Sequence, residues 1–291
     1  MHITVVFAAL AAVIMFGASP VAAKIAVSTI AAIDVAMLRT VIGGLIAIPV
    51  ALILGIGLPK TGNQRMLLLI SGFCGFVGFP VLFTFGVLLT SANHASMILA
   101  ALPVFTGAIA MAWDRQRPHV RWWLGCATAL IGEAILISGV DADTSGASLK
   151  GDMLVLVSNI LASLGYVAGG RLQRSGYSAM GTTFWGVAVF ALLMLPLLPF
   201  TIQTIDLKTV GVSAWAAVLY LAIGVTIMGY MLWYWALGSG GIARVGLIQF
   251  MQPVSGVILA WLLLGEMLSP RFLVASVIIF AGVWVAIGVK K

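Results

Sequence analysis

Polar side chains that recur at helical spacing inside long apolar runs are the residues of this chain best suited to do chemistry. Gln249 and Gln252 stand three apart, and Ser255 and Gly256 continue the same face. Asn159, Ser163 and Tyr166 follow one another at intervals of four and three. Residues so spaced share one side of a helix. A polar side chain in apolar surroundings faces the protein interior, a partner or a water-filled cavity, because lipid offers it nothing. Such stripes either line a solute cavity or hydrogen-bond across packed helices. Aromatic residues supply the apolar counterpart: Phe79 and Phe83 share a face, and Tyr230, Trp233 and Tyr234 cluster. Rings beside a few amides suit a flat, partly apolar solute, whose faces stack and whose polar ends bond. The same rings also serve as packing bulk.

Charged residues within the apolar runs are few. Lys24 either snorkels to the headgroups or faces the cavity. Asp34 and Arg39, five apart, are candidates to pair with each other or with the neighbourhood of Lys24. Glu133 is the one carboxylate near the middle of a run, which makes it a candidate proton carrier or a packing residue bonded to a hydroxyl. An intramembrane enzyme is the rival class, but its usual machinery is missing from the sequence. There are three histidines, His2, His94 and His119, with no HExxH pair, no two facing mid-run aspartates and no phosphate-binding loop. Cys74 and Cys126 fall in different runs without a CxxC pair, so neither a metal site nor a cofactor is expected. An ion channel would need a filter motif, and none appears.

The elements that must position these residues follow from composition. With 62% hydrophobic and 8% charged residues the chain cannot form a soluble surface. Crossing hydrocarbon takes about 20 apolar residues per helix, and only helices or closed barrels satisfy every backbone group there. The ten-residue alternation of barrel strands is absent. The sequence therefore predicts an all-α integral membrane protein with ten transmembrane helices, near 3–28, 31–56, 64–89, 92–113, 120–139, 150–172, 179–200, 212–237, 242–264 and 269–288. The first run lacks a small-residue cleavage site and is expected to be a retained helix.

The net charge of +7 is spread over loops and forms no stripe for nucleic acid. Lys60, Arg65, Arg115, Arg117, Arg121, Arg171, Arg174, Arg244, Lys290 and Lys291 fall on one side of the ten-helix scheme. Only Lys150, Lys208 and Arg271 fall on the other. This positive-inside bias predicts both termini in the cytoplasm. The partners expected are membrane lipid and a small-molecule solute, and ten helices suffice to enclose a path within a monomer.

Two halves of the chain overlay. An offset of 150 puts Pro103-Val104 on Pro253-Val254, Arg121 on Arg271, Gly132 on Gly282 and Ile137 on Ile287. Each half holds five helices, so the second copy is inverted. Residues 1–140 and 151–291 are the predicted repeats, joined by a polar outer linker at 141–150. Repeats of this kind let one site open to either side in turn. Pro20, Pro80, Pro103 and Pro253 lie within runs, where each removes a backbone hydrogen bond and favours a kink. Pro103 and Pro253 are repeat equivalents, which with Pro20 makes them candidate gating bends.

These residues carry a resemblance to the drug/metabolite transporter superfamily, in its ten-helix EamA-type branch, over essentially the whole chain. Phe16-Gly-Ala-Ser-Pro-Val-Ala-Ala-Lys24 is similar to that family's aromatic-Gly-Ser-x-x-x-x-x-Lys pattern, and Arg39 matches its recurrent arginine. Gln252-Pro253-Val254, then Leu264-Gly265-Glu266 and Gly282, look like its P-V…G-E…G run. The first half departs from that run, with Trp113-Asp114-Arg115 where the second has Leu264-Gly265-Glu266. Among members the chain is most similar to bacterial exporters of aromatic amino acids. The resemblance implies export of small organic metabolites across the inner membrane by alternating access, with purines or cationic compounds as alternative cargo. Ser19 and Lys24 of the first helix join the cavity candidates Phe79, Phe83, Asn159, Ser163, Tyr166, Tyr230, Trp233, Gln249 and Gln252.

Overall fold

The computed structural model describes residues 2–90, 95, 98–137, 148–200, 205, 210–255 and 270–287. Among these the secondary structure is helical, with no strand. In chain order the helices are α1 (Ile3–Val27), α2 (Ala32–Ile53), α3 (Gly62–Leu89), α4 (Leu102–Trp113) and α5 (Val120–Ile137). There follow α6 (Leu149–Arg174), α7 (Ala179–Phe200), α8 (Val212–Gly240), α9 (Ile242–Gly246, running into a 3-10 turn over Leu247–Met251) and α10 (Pro270–Ile287). Six of them, α1, α2, α3, α6, α7 and α8, are long and apolar enough to cross a membrane. The runs expected at 92–113, 120–139, 242–264 and 269–288 extend partly onto residues outside those described, as do His94, residues 141–147 of the expected linker, and Leu264-Gly265-Glu266.

Local sequence explains how these helices begin and where they break. Thr61 and Gln64 form a reciprocal capping box on α3, and the hydroxyls of Ser148 and Ser178 cap α6 and α7. α1 is interrupted at Ala18 and restarts at Ser19-Pro20, where the missing proline N–H costs no helical bond. α3 widens into a π-helical stretch over Cys74–Gly78 just before Pro80. α8 does the same over Tyr220–Gly229. Pro103 stands in the first turn of α4, and Pro253 follows the 3-10 turn of α9. All four prolines thus mark junctions between helical pieces.

The packing pairs α2 with α7, α4 with α9 and α5 with α10, while α3 lies on α6 and α1 on α8. Glycines set the closest approaches. A Cβ on Gly132 would fall 2.9 Å from Ile279 N and 3.0 Å from Ala275 O, and one on Gly282 would fall 2.5 Å from Ala129 N and 2.7 Å from Gly125 O. Small residues therefore let the α5 and α10 backbones touch. Gly282→Val is expected to cost roughly 1–3 kcal/mol through overpacking, read as a lower unfolding midpoint in detergent; an unchanged midpoint would mean the two helices part without cost.

The loops gather at two ends. At one, Tyr177 Oη donates to Gly57 O at 2.9 Å, Gln64 Nε2 donates to Ser175 O at 3.1 Å, and Arg171 pairs with Asp114. Burial pushes the Tyr177 hydroxyl up to about 12, so this donor keeps its proton at physiological pH. This end carries Arg117, Arg171, Arg174 and Arg244. At the other end Ser148 Oγ donates to Leu89 O at 2.7 Å and Thr90 Oγ1 to Asp152 Oδ1 at 2.6 Å.

Trp122 is buried with its ring against Gly107, while its neighbour Trp123 is exposed. One expectation is corrected. Arg39 does not pair with Asp34, because five residues rotate a helix by about 140° beyond a full turn. Its Nε and Nη2 donate instead to Thr226 Oγ1 at 3.3 and 3.1 Å.

Candidate functional site

Helix interruptions supply the polar frame of the site. Around the α1 break, Phe16 O accepts from Gln252 Nε2 at 3.3 Å, Met15 O from Tyr220 Oη at 2.6 Å and Val13 O from Ser255 Oγ at 3.4 Å. The α3 π stretch offers carbonyls in the same way: Gly75 O accepts from Tyr230 Oη at 3.1 Å and Phe76 O from Thr40 Oγ1 at 2.6 Å. π-helical insertions are frequent at functional sites because they turn backbone groups away from the regular ladder.

Rings fill the space between these frames. Phe16 lies nearly parallel to Tyr166, with centroids 6.3 Å apart, and meets Tyr230 edge-on at 5.6 Å and Trp233 at 6.2 Å. Tyr166 contacts Tyr230 and Trp233, each at 5.7 Å. Phe79 stacks on Phe83 at 5.1 Å. A cavity with about 330 Å³ of empty space is lined by Phe16, Ser19, Phe79, Phe83, Tyr166, Tyr230 and Gln252, closed by Leu99, Leu102 and Val225. A second, of about 280 Å³, meets it at Leu99 and Gln252 and carries Pro20 and Pro253 on its wall. Water has room there, but an organic solute requires the ring wall to part.

The structure brings Ser19, Phe79, Phe83, Tyr166, Tyr230 and Gln252 together on one cavity. Trp233 and Gln249 stand behind it. The Gln249 amide lies beside the Tyr166 hydroxyl, yet neither of its amide atoms, nor Trp233 Nε1, makes a well-formed hydrogen bond among the described residues. Buried polar atoms left without partners are rare, and these lie together behind the ring wall.

Other candidates lie elsewhere. Ser163 sits in the α4–α6 contact, accepting from Thr106 Oγ1 at 3.1 Å and donating to Leu102 O at 3.3 Å. Asn159 donates to Ile98 O, just before α4. Lys24 is exposed at the end away from the arginines. Its Nζ donates to Val87 O at 3.1 Å, which satisfies one of the last carbonyls of α3. Pro103 is buried at the start of α4. Glu133 is buried on α5, with neither carboxylate oxygen hydrogen-bonded among the described residues and no place among the residues lining the cavity.

A wider recess opens at the arginine-rich end, with about 1460 Å³ of space bordered by Asp114, Gln116, Arg117, His119, Arg174 and Arg244. Asp114 takes Arg171 and, at 3.9 Å, Arg174, while the Arg171 guanidinium lies 5.1 Å above the Trp113 ring. This gives Trp113-Asp114, where the first half departs from the second, a role: it docks the end of α6. α4 runs from Leu102 on the cavity through Thr106 to Ala110 and Met111 on the recess. The Thr106–Ser163 bond therefore stands between the two spaces, about one helical turn from each.

Phe16, Leu99, Leu102 and Val225 are lining residues that the polar stripes did not reveal. Phe16 had a signal in its Phe-Gly-Ala-Ser-Pro context. The other three are ordinary apolar residues of apolar runs, and nothing local sets them apart.

The described residues thus form an all-helical bundle around a ring-lined cavity with a few polar groups. The model of the EamA-like transporter family matches this chain twice, over residues 3–138 and 149–288. The chain belongs to that family and is a membrane transporter. It is similar to the uncharacterized transporter YdeK of Bacillus subtilis, at 29% identity over 87% of this chain and 86% of that one. It is similar also to a probable amino-acid metabolite efflux pump of Salmonella typhimurium, at 28% identity over 82% and 77%. A probable terminal-alkyne amino-acid exporter of Streptantibioticus cattleyicolor shows 26% identity over 79% and 75%. A solved crystal structure shares the fold, with a TM-score of 0.76 at 18% identity, covering 98% of this chain and 97% of that one.

Proposed function

We propose that this transporter exports amino acids, aromatic ones included, through the cavity at Gln252 by alternating access of two inverted five-helix repeats. The observation that carries the cargo is the cavity itself: stacked rings from α1, α3, α6 and α8 face the half-buried amide of Gln252, just beyond the 3-10 turn of α9, which fits a solute with a flat apolar part and a polar end. Two relatives named for amino acids agree with that class.

Several features support the repeat. The family model matches each half separately. The pairings α2–α7, α4–α9 and α5–α10 are unchanged when the halves are exchanged, and α3–α6 becomes α8–α1. Adding 150 to Cys74–Gly78 lands inside the π stretch of α8. Residues 1–140 and 151–291 are then the two units, with 141–150 as the outer linker. The gathering of arginines at one end favours cytoplasmic termini in the inner membrane of a bacterial cell. Pro20, Pro103 and Pro253 serve as the hinges at which the helix pieces swing.

Counterflow into proteoliposomes tests the cargo: labelled phenylalanine or tyrosine entering vesicles preloaded with unlabelled amino acid supports it. Uptake confined to a purine or a cationic drug transfers the assignment to that class.

Glu133 is proposed as the proton carrier, since among the described residues neither oxygen has a partner that would neutralise an ionised form. Glu133→Gln keeps the shape and removes the titrating group. Accumulation driven by a pH gradient is then expected to vanish, while exchange without a gradient persists. Gradient-driven accumulation equal to that of the parent protein would dismiss Glu133 from this role.

A further inference from the structure

Arg39 is a fully buried guanidinium on α2 whose charge no carboxylate balances among the described residues. Two of its five donors go to Thr226 Oγ1, and Thr226 in turn donates to Leu221 O at 2.8 Å within the π stretch of α8. The remaining donors make no hydrogen bond among the described residues. The ionisable groups that its charge meets are the hydroxyls of Tyr230 and Tyr166, both on the cavity wall. Val225, the neighbour of Thr226, lines that wall as well. Arg39 thus stands one side chain behind the cavity, at the junction of both π stretches, since Thr40 beside it donates to Phe76 O.

A buried cation without a counter-ion is costly, and a structural tie between α2 and α8 would need no charge. A hydroxyl or an amide at this position would hold Thr226 as well. What a guanidinium adds is a planar fork for a carboxylate, with parallel charge-assisted bonds that a point charge does not reproduce. The rings in front of it supply the apolar surface.

We propose that Arg39 is the anion-recognising group of the central cavity, holding the carboxylate of a solute whose apolar part rests on Phe16, Tyr166 and Tyr230. The solute class is a carboxylate-bearing organic acid or zwitterion, a choice that rests on the export function proposed above and narrows it. Tyr230 moves aside as the solute enters, and the guanidinium turns from Thr226 to the carboxylate.

Three matched probes decide the matter in proteoliposomes: phenylalanine, 3-phenylpropanoate, which lacks the amine, and phenethylamine, which lacks the carboxylate. The wild-type protein is expected to move the first two about tenfold or more faster than the third. Arg39→Gln should abolish that preference, and Arg39→Lys should keep part of it, at equal amounts of folded protein. Equal transport of phenethylamine by the wild type overturns the role of Arg39 and leaves the carrier standing, whether or not the variants fold. So does a carboxylate preference that survives in Arg39→Gln. Transport of none of the three overturns the amino-acid function and this inference with it.

Discussion

Gln252→Ala is expected to lower transport about tenfold or more while the yield and unfolding midpoint of the protein stay as they were. The amide is half-buried and borders both small cavities, and its one structural bond is Nε2 to Phe16 O at 3.3 Å. That bond is long, and Phe16 O lies beside the break at Ala18. The stability at stake is therefore about 1 kcal/mol or less. For a solute the position matters more, because the cavity wall is otherwise almost all ring and aliphatic surface, with Ser19 and the tyrosine hydroxyls as the other polar groups. Initial rates in proteoliposomes, set against a fold control by thermal unfolding, check it. Unchanged rates for every accepted solute would remove Gln252 from the path.

Gly169→Val carries the largest expected effect on folding. A Cβ at Gly169 on α6 would fall 2.3 Å from Tyr234 Cε1 and within 2.8 Å of two further ring atoms. Tyr234 is fully buried and accepts a hydrogen bond from Ser71 Oγ at 2.9 Å, so its ring has nowhere to retreat. Overpacking of this kind reaches about 3 kcal/mol. The expected result is poor recovery of folded protein, with Tyr234→Ala in the same chain restoring part of it by vacating the space. Gly169→Val protein with the parent's midpoint, or no rescue by Tyr234→Ala, would show that the contact between α6 and α8 is looser than described. Because Tyr234 abuts Tyr230 at 5.5 Å, and Tyr230 lines the cavity, a partial defect should reach transport as well.

The stripes on α6 and α9 show what residue type and spacing reveal and where they stop. Asn159, Ser163 and Tyr166 share a helical face, as their intervals require. Yet Asn159 bonds to Ile98, just before α4, and Ser163 to α4 itself, and of the three Tyr166 is the one on the cavity. Spacing fixes which residues look the same way. It does not fix what stands opposite at each height. Gln249 and Gln252 divide similarly, one behind the ring wall and one on it. Lys24, five residues beyond Ser19 and past the α1 break, ends at a carbonyl of α3 because the restart at Ser19-Pro20 carries it to the helix terminus.

What the sequence by itself determined is the class of molecule: the apolar runs leave no solution but helices in lipid, the family motifs lie along them, and the polar residues within them must face inward. Tertiary structure alone decided which inward-facing residues meet. The cavity is walled by Phe16 from α1, Phe79 and Phe83 from α3, Tyr166 from α6 and Tyr230 from α8, residues separated by up to 214 positions. Only helix packing, set by glycine contacts and by breaks at Ala18 and in the two π stretches, brings them together. Arg39 makes the same point in reverse. Its charge in an apolar run was plain from the sequence, but its place behind Tyr230 depends on where α2 crosses α8, which no local pattern encodes.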